Sequence, residues 1–193
     1  MTITTSPAPE NCDRVLVEAL LDLASSADPT EALGGSVAEV TFAKPMLVFV
    51  VGLEDAASRP ILSVARPVSW RYLVIGPDST ALADLDAALQ GGSVEFQRIN
   101  EGKNASNLRT ALDQADALFS NTHEAYEARI LEIPAIYTSS VWISGAHKNI
   151  FIPYLDDVRL AGGEPSVQQD FLDAVRQRAK AQLALLTEQR KNG

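Results

Sequence analysis

One cysteine, Cys12, and two histidines, His123 and His147, are the only thiol and imidazoles in this chain of 193 residues. A structural zinc centre draws four Cys or His ligands, often as close pairs, so zinc fingers and ribbons are excluded. A nucleophile working with a histidine base has only these two bases to choose from. One cysteine cannot close an internal disulfide, which agrees with a reducing compartment, and the cytoplasm is the expected location. Long apolar runs are also missing. The longest, Met46 to Val51, has the length of a buried strand and falls far short of the ~20 residues that span a bilayer, so no membrane partner is expected. Residues 1–9 are rich in Thr, Ser and Pro without a basic or apolar region. They read as a flexible tail rather than a signal peptide, ahead of a single domain over 10–193 with one core.

Basic charge is in short supply. Lys and Arg number 16 against 25 Asp and Glu, a net charge of −9, which disfavours binding to a nucleic-acid backbone. The local exception is the C-terminus, where Arg176, Arg178, Lys180, Arg190 and Lys191 follow Glu164, Asp170 and Asp173. Acid first and base last is the order a helix macrodipole favours.

Hydrophobic residues at 46% are enough to build a core, and their spacing indicates where the elements lie. Leu16, Ala19, Leu20, Leu23 and Ala24 recur at steps of three and four, which predicts an amphipathic helix from Asn11 to Ala24. Pro29 and Gly34-Gly35 break it, and alternation from Ser36 to Phe42 predicts a strand. Met46 to Val51 continues as a strand. The polar stretch Glu54 to Arg59 reads as a turn into a further strand, Ile61 to Val64, giving a hairpin or meander. Arg71 to Gly76, then a helix over Ser79 to Gln90 closed by Gly91-Gly92, then Val94 to Ile99 reads as a central βαβ unit with parallel strands. Leu108, Ala111, Leu112, Ala115, Leu118 and Phe119 mark another helix, with Tyr126 to Leu131 helical after it until Pro134. Ala135 to Ser144 and Ile150 to Tyr154 form a second hairpin. After Gly162-Gly163 a long helix runs over about 166–190, with Leu172, Val175, Ala179, Leu183 and Leu186 along one face. The expected class is α+β: a mixed sheet with flanking hairpins, covered by helices.

Two parallel strands send their C-terminal loops to one sheet edge, a common place for ligands. Those loops hold Ser79 and Thr80 after Asp78, and Lys103, Asn104 and Ser106 after Glu101. Two helix N-termini with Lys103 suit a small anionic or nucleotide-like ligand, although Asp78 and Glu101 oppose an anion and no glycine-rich phosphate motif is present. Cys12, next to an N-cap Asn11, sits where the dipole favours a thiolate; with His147 and Asn149 or Asp156 it makes a nucleophile and base candidate. No family signature surrounds it. His123 and Glu127, four apart on the helix expected there, could join His147 and Asp156 or Asp157 as metal ligands, but the spacing lacks a second histidine, so no metal and no cofactor is assigned. Trp70, Tyr72, Trp142 and Tyr154 at strand spacing read as core pairs. Nucleophiles, bases and ligands are few and ungrouped, whereas apolar helix stripes are plentiful. The leading expectation is therefore a non-catalytic protein-interaction or regulatory module that uses the sheet and the last helix, with a protein partner or self-association. Anion binding around Ser79 and Lys103 is the alternative.

Overall fold

The computed structural model describes residues 3–26, 39–86, 92–156 and 165–192. The protein is α+β and ends in a long helix, as the apolar patterning implies. It divides into two compact units, one of Thr5–Val48 and Pro67–Thr110 and the other of Met1–Thr4, Phe49–Arg66 and Ala111–Gly193. Each contains an apolar cluster of its own, a finer division than the single core that the length suggests.

The first unit is built on helix α1 (Cys12–Ser26) and strands β2 (Thr41–Phe42), the start of β3 (Met46–Val50), β4 (Arg66–Ile75), β5 (Thr80–Asp86) and β6 (Phe96–Glu101), in the order β3-β4-β5-β6 with β2 also on β4. Cys12, Leu16 and Leu20 recur at a spacing of four, so α1 lays one buried stripe against Trp70, Tyr72 and Val74 of β4 and Ala81, Ala83 and Leu85 of β5. The expected βαβ unit is not there. Residues from Thr80 to Asp86 form β5, antiparallel to both β4 and β6, and Pro77-Asp78 turns a hairpin closed by Gly76 N–H donating to Ser79 O at 2.9 Å. Alanine and leucine favour a helix here, but the strand meets neighbours on both faces. Alternate residues Ala81, Ala83 and Leu85 pack under α1, while Asp84 on the other face meets Arg71 and Arg98. The expected helix end at Gln90 and Gly91, and the strand start at Ser36, lie outside the described residues.

The second unit holds β7 (Tyr126–Ile133), β8 (Thr138–Gly145), β9 (Asn149–Asp156) and β10 (Ser166–Val167) in the order β10-β9-β8-β7, with α2 (Leu53–Ser58), α3 (Ile61–Val64) and α5 (Gln168–Asn192). Helix α4 (Lys103–Phe119) contributes residues to both units. The β8–β9 hairpin forms as expected. Three other expectations are corrected. Tyr126 to Leu131 is a strand, since its burial alternates through Tyr126, Ala128 and Ile130, a period of two that a helix cannot use. Glu54 to Arg59 and Ile61 to Val64 are short helices, not a turn and a strand; Glu54 and Asp55 open α2 where the dipole favours acid, and Ala56 and Ala57 are its buried face. The N-terminal segment expected to be a tail carries β1 (Ile3–Thr5), which pairs with β7 and is fastened by Thr4 Oγ1 donating to Tyr126 O at 3.1 Å.

The core of this unit is aromatic. Phe171 of α5 stacks on Phe151 at 4.4 Å between ring centres, Phe151 on Trp142 at 6.1 Å, and Phe49 meets Trp142 edge-on at 5.4 Å. The Trp142 indole N–H donates to Asn149 Oδ1 and the Asn149 amide donates to Gln168 Oε1, both at 2.7 Å, which ties β8, β9 and the start of α5. Leu172, Val175 and Ala179 continue the buried stripe of α5. The Gly162-Gly163 linker lies outside the described residues. No helix among the described residues is long and apolar enough to cross a membrane.

Candidate functional sites

Strands β4 and β6 both run antiparallel to β5, so they point the same way and their C-terminal ends emerge at one edge. The β4–β5 turn and the β6–α4 junction meet there in an open depression. Ser79, Thr80, Lys103 and Ser106 line it, joined by Asp78, Glu101 and Arg109. Asn104, chosen with them from the sequence, is exposed on the first turn of α4 and does not line the depression. Arg109 was missed. Its spacing of three from Ser106 puts it on the same face of α4, which is the signal that would have found it.

The junction is shaped by Gly102, whose φ of 117° is open to glycine and strained for other residues. Ala105 N–H donates to Gly102 O at 3.0 Å, and the Ser106 hydroxyl donates to Gly102 O at 3.4 Å or Lys103 O at 3.3 Å, so that hydroxyl serves the helix start. The Ser79 hydroxyl oxygen is buried without a hydrogen-bond partner. Among the described residues the side chains of Lys103 and Arg109 have no ion-pair partner. Two cations and two carboxylates leave the depression formally neutral.

A second concavity lies in the other unit, between the start of α2 and the end of α5. Leu53, Leu183 and Leu186 give it an apolar lining, Glu54 and Asp55 stand on the α2 side, and Arg190 on the α5 side. Beyond it α5 is uncovered: every residue over 184–191 is exposed, with Leu185 at 55% and Leu186 at 37%.

The remaining candidates separate. Cys12 is fully buried, and burial, followed by the neighbouring Asp13 carboxylate, pushes its thiol up, opposite to the thiolate that the helix start was expected to favour. His147 is exposed in the β8–β9 turn of the other unit. His123 is exposed in the loop before β7, and Glu127 pairs with Arg129 at 2.7 Å, so the expected shared helix face does not exist. Among the described residues no three His, Cys, Asp or Glu side chains converge as metal ligands. Asp157 lies outside the described residues. Trp70, Tyr72, Trp142 and Tyr154 are all buried. Further shifted groups are also structural: Tyr72, pushed up by burial and by its hydrogen bond to Asp13, and Asp84, which burial would raise but the bonds to Arg71 and Arg98 hold down. Comparison of the chain with protein-family models, curated proteins and solved structures returns no match.

Proposed function

We propose that the protein is a non-catalytic, cytoplasmic binding module that docks another protein surface through the C-terminal half of α5. The observation that carries this reading is the exposure of Leu185 and Leu186 on a helix whose buried stripe ends at Ala179. Burying a leucine side chain fully is worth about 1.5–3 kcal/mol, so two left in water beside an apolar-lined groove form a surface whose covering is favourable. Among the described residues the shifted ionisable groups, Cys12, Tyr72, Asp84 and Tyr126, lie within packed surroundings and not at these concavities, which is a poor arrangement for catalysis. The test is a thermal and urea melt of the full chain carrying Leu185→Glu and Leu186→Glu together. A docking surface is spare to the fold, so the expected change is within about 0.5 kcal/mol. A loss of several kcal/mol would show that these leucines hold the domain together and would end the reading.

The depression at Ser79 favours a second reading, in which a small oxyanion is held by Lys103, Arg109 and the Ser79 hydroxyl. A buried hydroxyl without a partner, beside two cations that have no ion-pair partner among the described residues, supports it. Titration with inorganic phosphate, followed by amide chemical shifts at Ser79 and Lys103, should saturate in the wild type and not in Lys103→Ala. Shifts that are absent, or equal in both, remove this reading.

A further inference from the structure

We infer that the surface docking on the exposed end of α5 is a second copy of this chain, related by a two-fold axis across the helix; the inference rests on the docking reading above. The groove beside that end is chemically two-sided, with Leu53, Leu183 and Leu186 as its apolar part, Glu54 and Asp55 on one wall and Arg190 on the other. The last turns of α5 carry the matching features, exposed Leu185 and Leu186 followed by Arg190 and Lys191. When two such ends pack antiparallel about Leu186, a residue four positions after the centre comes level with the residue four positions before it. That brings the partner's Arg190 to the height of Gln182, next to Leu183 of the groove whose α2 wall presents Glu54 and Asp55. In a two-fold contact the pairing occurs twice.

Charge also selects this end. Two copies at −9 repel each other over most of their surfaces, and the end of α5 is where basic groups can meet acid on the other copy. The exposed stretch is short, about 12 Å at 1.5 Å per residue. It is smaller than a patch of about 800 Å² per partner, so the dimer is weak and forms with rising concentration.

Sedimentation of the full chain over a concentration series tests this, with a melt of each variant alongside. The expected result is a mass that climbs from one chain toward two, and a single-chain mass throughout for Leu186→Glu and for the milder Leu186→Ser. Arg190→Glu should weaken the dimer by about tenfold or more, and Arg190→Glu with Glu54→Arg in one chain should restore it. A wild-type chain that stays single overturns self-association and leaves docking to a different protein standing. A dimer indifferent to these changes, or one that the charge exchange fails to restore, also overturns it. Variants that melt early refute the docking reading itself, which keeps the two failures apart.

Discussion

Substituting Asp84 by alanine would take from Arg71, which is only 4% exposed between strands, the carboxylate it bonds twice. In the native unit the Arg71 guanidinium donates from Nε to Asp84 Oδ1 at 2.6 Å and from Nη2 to Oδ2 at 2.8 Å. Arg98 adds a bond from Nε to Oδ2 at 2.9 Å, but its side chain is 57% exposed. Removing one member of a buried pair costs about 3–5 kcal/mol because the other charge stays behind, whereas an arm that reaches water contributes about 0–1 kcal/mol. Asp84→Ala should therefore cost about 3–5 kcal/mol in urea unfolding, followed by circular dichroism and by the buried Trp70 of the same unit, and Arg98→Ala less than about 1 kcal/mol. Replacing both charges, Arg71→Met with Asp84→Leu, should come out nearer neutral than Asp84→Ala, since the penalty belongs to the buried charge that stays behind and not to the missing bridge. The pair also sets an acid limb. Burial alone would raise the Asp84 carboxyl, but the bonds to Arg71 and then Arg98 prevail and hold it below its usual range. A depressed folded value gives stability that is present above the unfolded value of about 3.9 and lost as pH falls through the folded one. That limb should be shallower in the double replacement. Equal costs for Asp84→Ala and Arg98→Ala would refute the reasoning.

Two further changes probe the packing of each unit. At Gly145 an added Cβ would lie 2.5 Å from Tyr126 Cε1 and 2.7 Å from Cδ1, and that ring is held by Phe119 at 4.3 Å and by its hydroxyl donating to Glu124 at 2.5 Å. Gly145→Ala should cost about 1–3 kcal/mol in urea, with part regained when Tyr126 becomes leucine; an unchanged midpoint would show that the ring moves aside freely. Tyr72→Phe removes the 2.6 Å bond to Asp13 and should cost about 1 kcal/mol at neutral pH. Because the folded tyrosine is pushed up, its contribution is present below the unfolded value of about 10 and lost above it. The alkaline fall in wild-type stability should flatten in Tyr72→Phe, and an identical fall would assign it to other groups.

The elements legible in the sequence are those whose one-sided burial leaves a clear period. α1 shows Cys12, Leu16 and Leu20 at helical spacing, and β8 and β9 show β-branched and aromatic runs around a polar turn. β5 was hidden because its residues from Ala81 to Leu85 are all buried, so the alternation that marks a half-exposed strand is absent, while Ala and Leu speak for a helix. What decides it is the placing of Asp84 beside arginines on two other strands, which is not visible from one segment. The depression shows the converse. The sequence groups its residues by reading β4 and β6 as the parallel strands of a βαβ unit, and they meet because β5, a strand between the two, restores the same direction.

The end of α5 marks a different limit. Leu172, Val175, Ala179, Leu183 and Leu186 form one continuous stripe in the sequence, and a stripe reports which face of a helix is apolar without reporting where its neighbour stops. In the structure, burial ends at Ala179, Leu183 is half-covered beside Leu53, and Leu186 is 37% exposed. The same periodicity that packs the first half of α5 on its own unit therefore carries on past that unit. An apolar stripe longer than the surface it covers is what a helix shared between its own fold and a second surface must have, and the length of the overhang beyond the start of α2 is the quantity that only the folded chain reveals.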